Sequence, residues 1–178
     1  ISAILNENNP TENVKKMKET REGTREGTSD GYIVSELEVS LGGKNRNIKH
    51  FWFDKWPDHG VPEDKTVALD MLKEVNKWNE SKGNKPWVVH CSAGIGRTGT
   101  IIGIDIGMKG IDNNMKQQPI IKSVDVLEII SMMRDDRGGM VQTEEQSQFM
   151  QETLLDYITT KQQEQSQTQS STLETKQH

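Results

Sequence analysis

The residues with the clearest chemical potential occupy positions 90–99, which read His-Cys-Ser-Ala-Gly-Ile-Gly-Arg-Thr-Gly. They follow an apolar segment, 87–90, that predicts a short buried strand, and they open a predicted helix that ends near residue 108. A strand that leads into a helix N-terminus suits an anion, because unpaired N–H groups point outward and the helix dipole favours negative charge. Gly94 and Gly96 let successive N–H groups converge, and Arg97 adds a planar fork suited to two phosphate oxygens.

Cys91 stands at the start of this loop and is the only cysteine in the chain. A lone thiol cannot form an internal disulfide, so the sequence favours a reducing, cytoplasm-like setting. An ordinary cysteine has a pKa of about 8.5, and a helix N-terminus or a nearby cation lowers it to roughly 3.5–7.5. We therefore expect Cys91 to be a thiolate nucleophile whose attack is supported by oxyanion donors from the same loop.

Three other interpretations of the same residues are weaker. Residues 94–99 satisfy the dinucleotide fingerprint G-x-G-x-x-G, with Asp112 placed 18 residues beyond Gly94. However, residues 100–119 predict a helix and a polar loop where a Rossmann unit needs a second parallel strand. The Walker pattern fails because no Lys-Ser or Lys-Thr pair follows a glycine. A structural turn around a buried thiol stays open, although it leaves Arg97 without a role.

Residues 90–99 resemble the signature loop of the cysteine-dependent protein tyrosine phosphatases, whose core is His-Cys-x5-Arg-Ser/Thr. Two further segments are similar to that family. Residues 56–62, Trp-Pro-Asp-His-Gly-Val-Pro, resemble its mobile Trp-Pro-Asp loop, and residues 140–146, Met-Val-Gln-Thr-Glu-Glu-Gln, resemble its glutamine loop. The resemblance runs from about residue 32 to about residue 158 and covers roughly the C-terminal half of the family's catalytic domain.

Two of these segments can also be argued from chemistry. Asp58 is a candidate proton donor because the leaving phenolate has a conjugate acid with a pKa of about 10 and must be protonated at neutral pH. The simpler alternative for Asp58 is a surface turn. For Gln146, a capping box with Thr143 is an equally good explanation.

The resemblance implies a double displacement in which Cys91 attacks phosphorus, Asp58 acts as general acid and then as general base, and Gln142 positions the hydrolytic water. It implies no metal and no cofactor, and the substrates would be phosphotyrosine-containing proteins. A catalytically impaired module that binds phosphotyrosine without turnover is the alternative. The implied catalytic residues are Cys91, Arg97, Asp58, Gln142, Thr98 and Gln146. The implied substrate-binding residues are Asp58, Cys91, Ser92, Ala93, Gly94, Ile95, Gly96, Arg97 and Gln142.

Composition bounds the function classes. The 178-residue chain has a net charge of −5 and lacks the basic surplus typical of a nucleic-acid binder. No apolar run approaches the roughly 20 residues that span a bilayer, and no secretory signal opens the sequence. We therefore expect a cytoplasmic protein or the cytoplasmic part of a larger receptor. The first residue, Ile1, is not methionine, which suggests a fragment.

The order of elements and the resemblance together predict an α/β fold, with a central twisted mixed sheet flanked by helices and the N-terminal part of the phosphatase domain missing. We expect residues 1–30 to be weakly ordered, residues 31–160 to form the partial catalytic domain, and residues 161–178 to be a disordered tail rich in Gln, Ser and Thr.

Local patterns predict the elements within the folded part. Alternation of apolar residues from Ile33 to Leu41 predicts one strand, and the aromatic-rich run from Ile48 to Phe53 predicts a second, joined to the first through Gly42-Gly43 as a hairpin. Capping signals predict three of the helices, and Gly83 is the predicted stop of the first. The predicted N-caps are Asp64, Ser123 and Thr143. The helix after Ser123 is predicted to share one face among Leu127, Ile130 and Met133.

Overall fold

The computed structural model describes residues 13–22, 31–57, 60–115 and 124–174. The chain divides into two compact units, residues 1–94 and residues 95–178. The first contains strands β1 (Asn13–Glu22), β2 (Tyr32–Leu41) and β3 (Lys44–Trp52) and helix α1 (Lys65–Ser81). The second contains helices α2 (Gly96–Asn114), α3 (Val126–Asp136) and α4 (Glu144–Glu174).

The sheet of the first unit has the strand order β1-β2-β3, and both strand pairs are antiparallel. The predicted hairpin between β2 and β3 is confirmed, with Leu41 opposite Lys44. Gly42 and Gly43 make its two-residue turn with φ angles of 56° and 76°. Positive φ at both central positions matches the right-handed twist of the flanking strands, and glycine adopts it without steric cost.

The α/β class is confirmed, but the predicted mixed sheet is not what the structure has. Every strand pair within the described ranges is antiparallel. Residues 87–90, predicted as a buried strand, lie within the described ranges and form no strand there. Val88 is 67% exposed. The prediction of a strand there is wrong because an apolar run becomes a strand only where a neighbouring strand pairs with its backbone groups.

Two segments that were expected to lack regular structure contain it in part. Residues 13–22 form β1, which pairs with β2 through a register shift between Lys16 and Lys18. The composition of this segment does not reveal such a partner, because pairing depends on backbone groups. At the other end, α4 continues through residue 174. Residues 161–174 are rich in Gln and Glu, which favour helices, and propagation from an existing helix needs no new nucleus.

Helix α1 is linked to strands β2 and β3 by polar contacts of Glu74. As predicted, Asp64 is its N-cap: the Asp64 carboxylate accepts a hydrogen bond of 2.9 Å from the Thr66 N–H. The predicted stop at Gly83 also agrees, since α1 ends at Ser81. Glu74 of α1 bonds both to the Tyr32 hydroxyl, at 2.8 Å, and to the Lys49 ammonium. The core of this unit comprises Tyr32, Val34, Phe51, Trp56, Val67, Ala68, Leu69, Met71, Leu72 and Val75.

Helix α3 begins later than predicted. Asp125 is its N-cap and accepts hydrogen bonds from the N–H groups of Leu127 and Glu128 at 2.9 and 3.0 Å. Ser123, the predicted cap, lies outside the described residues. Leu127 is 73% exposed, so it does not belong to the buried face that contains Ile130 and Met133. The buried face is instead formed by Val126, Ile129, Ile130 and Met133.

Helices α2 and α4 pack closely because glycines recur along one stripe of α2. A Cβ placed on Gly103 would lie 2.7 Å from the Met150 sulfur, and one on Gly107 would lie 2.5 Å from a Leu154 methyl carbon. Met150 and Leu154 are almost completely buried. The absence of side chains on this stripe therefore lets α4 sit against the backbone of α2.

The C-terminal end of α2 is linked to α4 by polar contacts. The buried Tyr157 donates its hydroxyl to the Asp112 carboxylate at 2.9 Å, and Lys161 lies 3.5 Å from the same carboxylate. Burial, followed by the hydrogen bond to Asp112 and its negative charge, raises the pKa of Tyr157 well above its ordinary value. Within the described ranges, no helix is both long and apolar enough to cross a membrane.

The glycine stripe predicts opposite effects for two identical substitutions in α2. Gly110 has no described atom within 4 Å of its Cβ position, so Gly110→Ala is expected to raise the free energy of unfolding by up to about 1 kcal/mol through helix propensity. Gly107→Ala should lower the free energy of unfolding by about 1–3 kcal/mol relative to Gly110→Ala, because the added methyl group overpacks the contact with Leu154. Urea unfolding measures both. Equal stability of the two variants would contradict the packing described.

The Tyr157 contact predicts a dependence of stability on pH. Because the folded pKa is raised, the folded chain keeps this proton after the unfolded chain has lost it. The contribution is present below the ordinary tyrosine pKa of about 10 and is lost as the pH rises above it. The stability advantage of wild type over Tyr157→Phe should therefore shrink between about pH 8 and about pH 11 in urea unfolding. An advantage that does not change over this interval would refute the assignment.

Candidate functional site

The N-terminus of α2 has the backbone features predicted for an anion site. The helix begins at Gly96, five residues after Cys91. Its N-cap residue, Ile95, has an apolar side chain and cannot satisfy the N–H groups of the first turn. Gly94 has a φ of 72°, in the left-handed region, so the chain bends sharply just before the helix. A 19-residue helix with an uncapped N-terminus favours negative charge at this end.

Cys91 lies at the end of the first unit, and the division between the units falls between Gly94 and Ile95, inside the loop. The side chain of Cys91 is half-buried. The Nδ1 atom of His90 lies 3.0 Å from the Cys91 carbonyl oxygen. A carbonyl oxygen only accepts, so this bond requires the proton on Nδ1. The His90 side chain therefore holds the Cys91 carbonyl group in a fixed orientation beside the thiol.

Trp56 makes two local contacts beside the position of Asp58. Asp58 and His59 themselves lie outside the described residues. Trp56 is buried, and its indole N–H donates to the Gly60 carbonyl at 3.3 Å, a bond between residues four positions apart. The Phe53 ring meets the Trp56 ring edge-on at 5.6 Å. A buried tryptophan at the base therefore anchors the segment that carries Asp58.

The two predicted glutamines lie together on the first turn of α2. Gln146 is buried, and its Oε1 accepts a hydrogen bond of 2.9 Å from the Gln142 N–H. A Cβ placed on Gly96 would lie 2.6 Å from Gln142 Oε1 and 3.1 Å from Gln146 Nε2. Both side-chain amides therefore occupy the space above Gly96, at the N-terminal end of α2.

The interpretation of Gln146 as part of a capping box is half correct. The Thr143 hydroxyl accepts a hydrogen bond of 3.2 Å from the Gln146 N–H, as a cap should. The side chain of Gln146 does not return to the Thr143 N–H but bonds to Gln142, one residue earlier. Gln146 thus serves both the start of α4 and the position of Gln142.

A close approach between backbones holds residues 140–146, the glutamine segment, against α2. The Val141 N–H donates to the Ile95 carbonyl at 3.1 Å. A Cβ on Gly99 would lie 2.5 Å from the Val141 nitrogen and 3.2 Å from the Met140 carbonyl carbon. Only glycine at position 99 leaves room for this contact.

The resemblance to the family implied that Arg134 belongs to the approach to the glutamine loop, but it gave neither the hydrogen bonds of Arg134 nor the conformation of Val141. Val141 has a φ of 60°, a left-handed conformation that is unfavourable for a β-branched residue. Arg134 donates from Nε to the Met140 carbonyl at 2.9 Å and from a terminal nitrogen to the Val141 carbonyl at 2.7 Å. Neither the conformation nor the two bonds has a local sequence signal.

Thr98 lies in the first turn of α2 and is 5% exposed. Its hydroxyl has no hydrogen-bond partner among the described residues. Buried hydroxyl groups are normally bonded, so a donor or acceptor is left over at this end of the helix. Among the residues that the structure describes, no three His, Cys, Asp or Glu side chains form a group able to hold a metal ion.

Comparison with known proteins identifies the family. The sequence model described as protein-tyrosine phosphatase matches residues 5–156. The chain belongs to the protein-tyrosine phosphatase family.

Several members of this family are similar to the chain. It is 40% identical to the receptor-type tyrosine-protein phosphatase R of Homo sapiens over 129 residues, which are 72% of this chain and 19% of that protein. It is 42% identical to the tyrosine-protein phosphatase non-receptor type 7 of Homo sapiens over 127 residues, 71% of this chain and 33% of that protein. It is 41% identical to the tyrosine-protein phosphatase corkscrew of Drosophila virilis over 142 residues, 76% of this chain and 18% of that protein. The chain thus spans between 18% and 33% of the length of these relatives.

The structure brings together part of the predicted site. Gly96, Gln142 and Gln146 meet at the first turn of α2, where Thr98 is buried. Residues 91–94 belong to the first unit and are continuous with α2 along the chain. The glycine spacing along α2 was a signal for the close approach of the glutamine segment, whereas no sequence signal marked the bond between Gln142 and Gln146.

Substitution at Gly99 tests the backbone contact. The methyl group of Gly99→Ala meets backbone atoms that cannot rotate away, so the segment at residues 140–142 must move. We expect loss of hydrogen-exchange protection at the Val141 N–H and a destabilisation of about 1–3 kcal/mol relative to Gly110→Ala. Amide exchange by NMR and urea unfolding measure the two effects. Retained protection of Val141 in Gly99→Ala would show that the segment is held elsewhere.

Proposed function

We propose that the chain is a cysteine-dependent phosphatase that hydrolyses phosphotyrosine in proteins through a phosphocysteine intermediate. The observation that carries the proposal is the pair of glutamine amides placed on the first turn of α2, the helix that follows the Cys91 loop along the chain. Membership of the protein-tyrosine phosphatase family supports the same chemistry. The names of the relatives, both receptor-type and non-receptor phosphatases, agree with it.

In the first step, the Cys91 thiolate attacks phosphorus and the bond to the tyrosine oxygen breaks. Asp58 gives its proton to that oxygen, so the tyrosine leaves as a neutral phenol. The backbone N–H groups of residues 92–97 and the guanidinium of Arg97 hold the three remaining phosphoryl oxygens. The N-terminus of α2 supports this assignment, because its N-cap residue Ile95 makes no side-chain hydrogen bond to the first turn and a helix N-terminus favours an anion.

In the second step, water attacks the phosphocysteine and the phosphorus–sulfur bond breaks. Gln142 orients the water, and Asp58, now ionised, accepts its proton. Gln146 keeps Gln142 in place through the 2.9 Å bond to its N–H. The buried hydroxyl of Thr98, which has no hydrogen-bond partner in the described part of the chain, is assigned the role of donor to the sulfur that leaves as a thiolate. Inorganic phosphate is released and Cys91 returns to its initial state.

Each of these roles falls on a group of the chain itself, so the proposal contains no metal ion and no cofactor. The substrates are phosphotyrosine-containing proteins. The site of action is the cytoplasm, as a separate protein or as the cytoplasmic part of a receptor, because a nucleophilic thiolate must stay reduced.

The decisive experiment compares the 178-residue chain with its Cys91→Ser variant on a phosphotyrosine peptide. Wild type should release phosphate, and the variant, which keeps the shape but lacks the thiolate, should lose on the order of 10⁴–10⁶-fold in rate. Malachite-green detection of phosphate measures both, with a phosphoserine peptide of the same sequence as the control substrate. Equal rates for the two proteins would refute the proposal. Peptide binding in calorimetry without phosphate release by wild type would indicate a binding module instead.

A further inference from the structure

Arg134 makes contacts that point beyond its own helix. It lies in the last turn of α3, which ends at Asp136. Its Nε and one terminal nitrogen donate to the carbonyl groups of Met140 and Val141, at 2.9 and 2.7 Å. These two carbonyls are consecutive and lie in the segment between α3 and α4. The guanidinium therefore binds two neighbouring peptide units of the glutamine segment at once.

The peptide units that Arg134 holds are the ones that need support. Val141 is 2% exposed and has a left-handed φ of 60°, which its β-branched side chain disfavours. Such a conformation persists only where surrounding contacts determine it. The two bonds from Arg134 fix the carbonyl groups on either side of this strained residue.

The strained conformation directs the next groups of the chain toward α2. With the carbonyl groups of Met140 and Val141 turned to Arg134, the Val141 N–H points to the Ile95 carbonyl at 3.1 Å. The following N–H, of Gln142, points to Gln146 Oε1 at 2.9 Å. The Gln142 amide is thereby placed over Gly96.

We propose that Arg134 is a positioning residue for the second chemical step, the hydrolysis of the phosphocysteine. This inference rests on the proposed function, because it assigns Gln142 to the water that attacks the intermediate. Arg134 acts through the Met140 and Val141 peptide units and touches neither substrate nor water. Since Gln142 orients water only after the tyrosine has left, loss of the Arg134 contacts slows the second step and spares the first.

An arginine is required because the two carbonyl acceptors are bound by two nitrogens of one rigid plane. A lysine in the same place keeps the positive charge but offers a single ammonium on a flexible stem. Arg134→Lys therefore removes the fixed geometry with little change in electrostatics. Arg46, an exposed residue of β3, provides the matched control in Arg46→Lys.

The experiment is stopped-flow hydrolysis of an aryl phosphate by wild type, Arg134→Lys and Arg46→Lys. In Arg134→Lys, phosphocysteine hydrolysis should slow by about ten- to hundredfold, while its formation changes by less than about twofold. The variant then shows a burst of phenol followed by slow turnover. Gly99→Ala, which displaces the same segment from the opposite side, should also show a burst, and Arg46→Lys should match wild type.

Amide exchange provides a readout that does not depend on activity. The N–H groups of Val141 and Gln142 should be protected in wild type and Arg46→Lys and exchange faster in Arg134→Lys. Normal second-step rates in Arg134→Lys, or equal slowing of both steps with a lowered melting temperature, overturn the positioning role. If wild type releases no phenol, the proposed function fails. The exchange at Val141 and Gln142 then decides by itself whether Arg134 holds the segment.

Discussion

The second unit depends on one close approach, in which the backbone at residues 140–142 lies directly against the first turns of α2. This contact is possible because Gly96 and Gly99 leave the helix surface bare, and it is completed by the bond from the Val141 N–H to the Ile95 carbonyl. A methyl group at position 99 would overlap the Val141 nitrogen. The proposed chemistry of Gln142 therefore requires that position 99 of α2 carry no side chain.

The close approach has an energetic consequence. Holding Val141 in the left-handed region is unfavourable by about 1–2 kcal/mol. Opposing this are the burial of the Val141 side chain, worth about 1.5–3 kcal/mol, and two charge-assisted hydrogen bonds from Arg134, each worth about 1.5–3 kcal/mol. Contacts on both sides of Val141 therefore determine its unusual conformation, as a strained φ requires.

Helix α4 continues the same arrangement along α2. Its first turn holds Gln146 near Gly96, its middle packs Met150 and Leu154 over bare glycines, and Tyr157 bonds to Asp112 near the end of α2. The position of α4 along α2 thus sets the position of Gln146 and, through the bond between them, the position of Gln142. In this unit, the contacts that pack α4 against α2 also fix the geometry of the glutamine part of the candidate site.

The sequence by itself determined the features whose causes are local. Gly42-Gly43 predicts a tight hairpin because two positive φ angles are required, and Asp64 predicts a helix start because its carboxylate caps an N–H two residues further on. Residues 90–99 carry a signature specific enough to indicate the family.

The tertiary structure alone decided the rest. The apolar segment at 87–90 is not a strand, since strands need partners, and Leu127 is exposed, since burial depends on which face meets a neighbour. Arg134 binds the chain six and seven residues further on, and Gln146 binds Gln142, because folding brings these groups together in ways that no local periodicity encodes.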